Sequence, residues 1–179
     1  MSDLEFKPWP KIPRGGKCRV VITEKIDGTN ACIVIQDGKL VGVQSRKRFI
    51  TPEDDNYGFA RWAYDNEEVL VAGLKDGHHY GEWAGHGIQG NPHCLPEKRF
   101  FLFNTLRWSQ DPSLPVICDV VPILYEGEEY VGMVEECMEK LLENSEGVYV
   151  PEGVVVFNLH YKTMYKQTFK YSEGKWKES

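Results

Sequence analysis

The chain has 179 residues, 41% of them hydrophobic and 12% aromatic, which suits one folded domain with a real core and excludes a disordered chain. No apolar run approaches the roughly 20 residues of a membrane-spanning helix, and Met1-Ser2-Asp3-Leu4-Glu5 is not a signal peptide, so a cytoplasmic protein is expected. A net charge of −6 excludes a uniformly basic surface and leaves any phosphate gripping to local patches.

Residues 1–17 are rich in Pro, Lys and Gly and read as a lead-in segment. Strands are expected over 18–24 and 30–36, and Asp37-Gly38 is a hairpin signal into a third strand over 39–45. A helix is expected from about residue 57, with Asn56 as N-cap and Phe59, Trp62, Ala63, Glu67 and Leu70 at helical spacing. Aromatic-rich strands follow near 79–83 and 99–106, then a proline-bearing loop over 109–115. Residues 116–124 read as another strand. An amphipathic helix over 131–142 turns Val134, Met138, Leu141 and Leu142 inward, and strands over 153–158 and 163–171 follow it. Mostly adjacent strands with few helices predict an α+β fold of antiparallel sheets.

The chemistry concentrates first in Val20-Val21-Ile22-Thr23-Glu24-Lys25-Ile26-Asp27-Gly28-Thr29-Asn30. A β-branched strand ends on an acid–lysine pair, and an Asp-Gly turn returns the backbone into the next apolar run. Gly28 allows close approach of a ligand, and a lysine held where its charge is disfavoured can lose a proton and attack. An exposed lysine beside a hairpin turn would account for the same residues. Further on stand Ser45-Arg46, Tyr80-Gly81-Glu82-Trp83, Phe100-Phe101-Leu102-Phe103-Asn104, Glu152-Gly153-Val154-Val155 and Met164-Tyr165-Lys166-Gln167-Thr168-Phe169-Lys170. An arginine fork suits a phosphate, a carboxylate accepts from vicinal hydroxyls, and an aromatic face stacks on a base.

In that order these stretches resemble the motifs of the covalent nucleotidyltransferases, the superfamily of DNA ligases, RNA ligases and mRNA capping enzymes. The resemblance runs from Lys25 to Lys170 and implies a single nucleotidyltransferase (adenylation) domain over 1–179, with no appended oligonucleotide-binding barrel. It makes Lys25 the nucleophile and places Glu24, Asp27, Gly28 and Asn30 in the nucleotide-binding turn around it. Arg46 is implied to contact a nucleotide or RNA phosphate, and Glu82 to accept from the ribose hydroxyls. Phe103 is assigned to the nucleobase and shares a face with Phe101 by strand alternation. Glu152 is implied to lie near Lys25 and to hold Mg²⁺ (or Mn²⁺), which must offset the preference of a carboxylate-paired lysine for its charged form. Glu146-Gly147-Val148 competes for that role, and Glu152 is preferred because a continuous β-branched strand follows it. Phe157 stands where many of these ligases have a lysine. Lys166, with Lys170 on the same face, would hold the α-phosphate, although the usual Lys-x-Lys spacing is not kept.

Gly28-Thr29-Asn30 resembles the RNA-ligase variant of the first motif, since capping enzymes and DNA ligases usually show Arg where this chain has Asn30. The implied activity uses ATP: Lys25 takes AMP, passes it to a 5′-phosphate of RNA ends or a nicked duplex, and a 3′-hydroxyl then displaces the AMP. A guanylyltransferase, a DNA ligase and a nucleotide- or RNA-binding module without catalysis are the alternatives. Arg46-Lys47-Arg48, Lys98-Arg99 and the tail over 162–177 are the candidate basic patches, which predict salt-sensitive affinity. Gly85-His86-Gly87-Ile88-Gln89-Gly90 spells a dinucleotide fingerprint, but Asn91-Pro92 stands where its helix must begin, so a loop near the site is expected. His78, His79, His86, His93 and Cys94 lack structural-zinc spacing and read as loop residues. The five scattered cysteines read as thiols in a reducing compartment.

Overall fold

The computed structural model describes residues 18–169. One sheet holds β1 (Arg19–Glu24), β8 (Ile123–Glu128), β9 (Gly153–Asn158) and β10 (Thr163–Thr168), in the order β10-β9-β1-β8 with every pair antiparallel. The other holds β2 (Thr29–Gln36), β3 (Lys39–Ser45), β4 (Phe49–Ile50), β5 (Gly77–Ala84), β6 (Arg99–Leu102) and β7 (Cys118–Val120). Its order is β4-β3-β2-β5-β6-β7, antiparallel except for the β6–β7 pair. The helices are α1 (Phe59–Asp65), α2 (Glu67–Leu74), the short α3 (Thr105–Trp108) and α4 (Met133–Ser145). The architecture is the α+β arrangement of antiparallel-rich sheets that the sequence predicts.

Each sheet buries one face against helices and leaves the other for the site. In β2 the period-two pattern sends Ala31, Ile33 and Ile35 toward Phe59, Ala60 and Ala63 of α1 and Leu70 and Leu74 of α2. The Phe59 ring centre lies 5.0 Å from that of Phe100 and 5.3 Å from that of Trp83, so aromatic contact ties α1 to two strands at once. In the other sheet, Val20 and Ile22 of β1 join Val154 and Val156 of β9 against Met133, Val134, Cys137, Met138 and Leu141 of α4. The uncovered faces meet at a small cluster of Ile26, Ala84, Phe101 and Val121.

Several elements depart from expectation for identifiable reasons. The helix expected from residue 57 is two helices broken at Asn66, whose side chain donates to the Trp62 carbonyl at 2.7 Å and competes with the helical ladder. Its first turn is held by Asp55, whose carboxylate accepts from the Ala60 and Arg61 amides, while Asn56 donates instead to the Thr29 hydroxyl. The single strand expected over 116–124 is split between the two sheets, as β7 and β8, at Pro122, which has no amide hydrogen to continue a ladder. The strand expected over 99–106 stops at Leu102 and gives way to α3. On α4, Cys137 takes an inward place and Leu142 is half exposed. Among the described residues no helix is long and apolar enough to cross a membrane.

Candidate active site

Lys25 directly follows β1, and its amide donates to the Gly153 carbonyl at 2.9 Å, extending the β1–β9 ladder by one residue. That bond brings the start of β9 beside the lysine, and Lys25 Nζ donates to Glu152 Oε2 at 2.5 Å. The two residues lie 127 positions apart in the chain. Both side chains are largely enclosed, so the pair interacts more strongly than it would in open water. Glu146, the competing acid, is the cap residue that ends α4 and is not brought to Lys25.

Gly28 then turns the chain into the second sheet. A Cβ there would sit 2.4 Å from the Trp83 carbonyl oxygen, so only glycine lets β2 and β5 approach at this point. Registration carries the site across that sheet: Asn30 opposes Glu82, and Glu82 opposes Phe101. Arg46 follows Ser45, which pairs with Ala31, so Arg46 stands at the end of the same row. Asn30 Nδ2 donates to Glu82 Oε2 at 2.8 Å, which aims the carboxylate.

Glu82 is 7% exposed, and burial pushes its carboxyl up to about 7. The Lys25 charge and the Asn30 hydrogen bond oppose that shift, and the negative charges of Glu152 and Asp27 reinforce it. The folded protein therefore prefers protonated Glu82. The stability this preference contributes is complete below the ordinary value of 4.5 and is lost as pH rises through about 7. For nucleotide-free protein we expect Glu82→Gln to remove that slope, worth up to about 3 kcal/mol. Urea midpoints measured across this pH window would check it, and equal slopes in the two proteins would refute it.

Glu24 goes the other way. Neighbouring strand residues point to opposite faces, so its carboxylate leaves the Lys25 side and is buried behind β1. It accepts from the Tyr149 hydroxyl at 2.8 Å and from His93 Nε2 at 3.1 Å, and the two rings stack with centres 5.0 Å apart. Of the first motif, Lys25, Gly28 and Asn30 thus line the site, Asp27 lies close enough to act on Glu82, and Glu24 braces the strand from behind. His93 and Tyr149 escaped sequence reasoning, because nothing local in Asn91-Pro92-His93 or Val148-Tyr149 marks a partner so distant in the chain. The loop over 85–98 contains no helix or strand and carries His93 into this brace.

Phe101 is 9% exposed and packed in the cluster with Ile26, Ala84 and Val121. Phe103 lies just past β6, its amide donating to the Tyr80 carbonyl at 3.0 Å, and is 43% exposed. It therefore stands one row beyond Glu82 on the same face, about 6.8 Å along the strands. Lys166 opposes Val155, which opposes Thr23, so Lys166 shares the Lys25 face one row away and is exposed. Lys170 lies outside the described residues.

One basic patch is fully engaged and another in part. Lys98 Nζ donates to the Tyr57 carbonyl at 2.7 Å, and Arg99 makes a two-pronged contact with Asp119 at 2.6 and 3.0 Å. Arg48 is paired with Asp54. Among the described residues Arg46 and Lys47 have no ion-pair partner.

Among the described residues no three His, Cys, Asp or Glu side chains form a closed metal cage. An ion of the Mg²⁺ kind does not need one, since it keeps several waters and takes one or two carboxylates plus substrate phosphate. Glu152 is partly exposed, and Asp27 and Glu82 leave the surroundings of Lys25 rich in carboxyl groups. That donor set fits an open cation site completed by a phosphate.

Three solved structures of a Naegleria gruberi RNA ligase share this fold. A variant with AMP and Mn matches with a TM-score of 0.61 at 23% identity, over 85% of this chain and 50% of that one. A variant with ATP and Mn gives 0.62 at 24%, over 88% and 52%, and one without ligand gives 0.60 at 23%, over 85% and 50%. This chain spans about half the length of the structures it matches, and likeness at such identity shows the fold. No curated protein matches the sequence. The sequence pattern described as RNA ligase matches residues 19–172. That match takes in every strand from β1 to β10, and the chain belongs to the RNA ligase family of the covalent nucleotidyltransferase superfamily.

Proposed function

We propose that this chain is the adenylation domain of an ATP-dependent RNA ligase, in which Lys25 forms a covalent lysine–AMP intermediate. The observation that carries the reading is the meeting of Lys25 and Glu152 at 2.5 Å, with the Asn30–Glu82 pair close enough for the lysine charge to act on Glu82. A nucleophile, an acid and a ribose acceptor thus converge from separate strands and two sheets.

A nucleotide fits this frame in one direction. Its ribose hydroxyls donate to Glu82, and its base lies on the exposed ring of Phe103, one row further out. Its phosphates run back toward Lys25, with Lys166 reaching them from the first sheet and Arg46 from the end of the Asn30 row. Lys170 would extend the Lys166 face, and Asp27 with Gly28 shapes the turn beneath the phosphates. A bound Mg²⁺ or Mn²⁺ would be held by Glu152 and would neutralise charge on the α-phosphate.

Lys25 must shed a proton before it attacks. Its nitrogen then bonds to the α-phosphorus, the bond from that phosphorus to the bridging oxygen breaks, and pyrophosphate leaves with the electron pair. The protein's contribution is alignment and charge neutralisation. A 5′-phosphate of RNA would next take the AMP, and a 3′-hydroxyl would displace it to seal the strand.

The test is incubation with divalent metal and ATP or GTP labelled at the α-phosphate. Label from ATP that survives denaturation and is released by acid is the expected result. Label from GTP alone would point to a capping-type guanylyltransferase, and none from either would point to a binding module.

A further inference from the structure

The face of the second sheet that carries Asn30 and Glu82 continues outward past the nucleotide position, and among the described residues no helix packs on it. Register defines its next row: Phe49 opposes Gln44, Gln44 opposes Cys32, and Cys32 opposes Tyr80, which lies beside Phe103. Three rings on this row are exposed, Phe49 at 65%, Tyr80 at 55% and Phe103 at 43%. Large apolar groups left in water along one line of a sheet mark a binding face when they run on from a ligand site.

The row is built to present rings rather than to hide them. Gly42, on the same face of β3, has room for nothing larger, since a Cβ there would come within 2.9 Å of the Phe49 ring. That ring therefore packs against the β3 backbone at Gly42 and still leaves most of its surface to solvent. His78 stacks on Tyr80 with ring centres 6.1 Å apart and interplanar angle 19°, extending the platform along β5. The remaining outward residues of these strands include Gln36 and Gln44, and apart from Glu82 none is a carboxylate. Beside Phe49, in the turn between β3 and β4, stand Arg46 and Lys47, two cations without an ion-pair partner among the described residues.

We infer that this open face is a track for single-stranded RNA, with bases stacked on Tyr80 and Phe49 and phosphates held by Lys47 in the turn beside Phe49, leading the strand to the nucleotide site. The inference rests on the RNA ligase reading and names where that substrate lies. From β5 to β4 the sheet crosses three strand spacings, roughly 14 Å, enough for two or three extended nucleotides. Aromatic faces accept any base, and phosphate neutralisation adds affinity without sequence preference. The chemistry therefore matches an enzyme that must take ends of any sequence.

The experiment measures fluorescence anisotropy of a labelled single-stranded RNA with a 5′-phosphate, without ATP, and covalent AMP formation in parallel. Tyr80→Ala and Phe49→Ala should each weaken RNA binding at least about fivefold, given stacking worth roughly 1–3 kcal/mol per base. Tyr80→Phe and Phe49→Tyr keep a ring and should keep the affinity. Gly42→Ala, which pushes the Phe49 ring aside, should weaken binding, and Lys47→Ala should lower its salt dependence. Lysine–AMP formation should be unchanged in all of them. Unaltered RNA affinity in the folded Phe49→Ala/Tyr80→Ala double variant would overturn the track. So would loss of self-association in that variant with RNA binding intact, because the rings would then be pairing copies of this chain. Because binding is read without ATP, failure of wild-type protein to form lysine–AMP is a separate result, bearing on the catalytic reading alone.

Discussion

Lys25→Ala should abolish covalent AMP transfer, with the label in denatured protein falling on the order of 10⁴-fold or more relative to wild type. The lysine nitrogen is the atom that bonds to phosphorus, so no neighbouring group can replace it. Among the described residues Lys166 is the other lysine assigned to the site, and register places it one row away on β10 rather than beside Glu152. ATP binding should survive, because Glu82, Asn30 and Phe103 are untouched. A variant that binds ATP with near wild-type affinity and carries no label is the expected outcome. Undiminished labelling would show that another residue is the nucleophile.

Glu152→Gln should be nearly as damaging, and its direction separates two roles. At 2.5 Å from the lysine nitrogen, the carboxylate ties that nitrogen down in a hydrogen bond that competes with attack. If pairing were its whole function, removing the charge would free the amine and labelling at neutral pH would rise. If it also holds the metal against the α-phosphate, labelling should fall by about 10²-fold or more, with partial recovery at high Mn²⁺. We expect the fall, measured as initial rates across a metal titration. Glutamine keeps the shape and a hydrogen-bonding oxygen for Lys25, so unfolding should shift by only about 1–2 kcal/mol even though the pair is largely enclosed. A large loss of stability would mean the variant reports on folding rather than chemistry.

The sequence alone carried the α+β class, the hairpin at Asp37-Gly38, the strands over 39–45 and 153–158, and the order of the motif residues. These were legible because the signals are local: period-two burial, turn dipeptides and short runs of β-branched residues. Even the parting of Glu24 from Lys25 follows from alternation, since neighbours on a strand face opposite ways. The chain read as a line does not say what waits on each face. His93 and Tyr149 reach Glu24 from 69 and 125 residues away, and no local pattern announces either.

Tertiary structure decided the rest, because sheet partners and register are set by contacts between distant segments and a slip of one residue reverses every side chain. It split 116–124 between two sheets and placed Phe103 a row beyond Glu82 instead of beside it. It also tied Arg48, Lys98 and Arg99 to nearby acceptors, leaving Arg46 and Lys47 next to the exposed rings. What the residues dictated was therefore an inventory of reactive groups and the faces they alternate between. Which of those groups could touch one another came only from the pairing of β1 with β9 and of β2 with β5, each chosen by burial summed over the whole core.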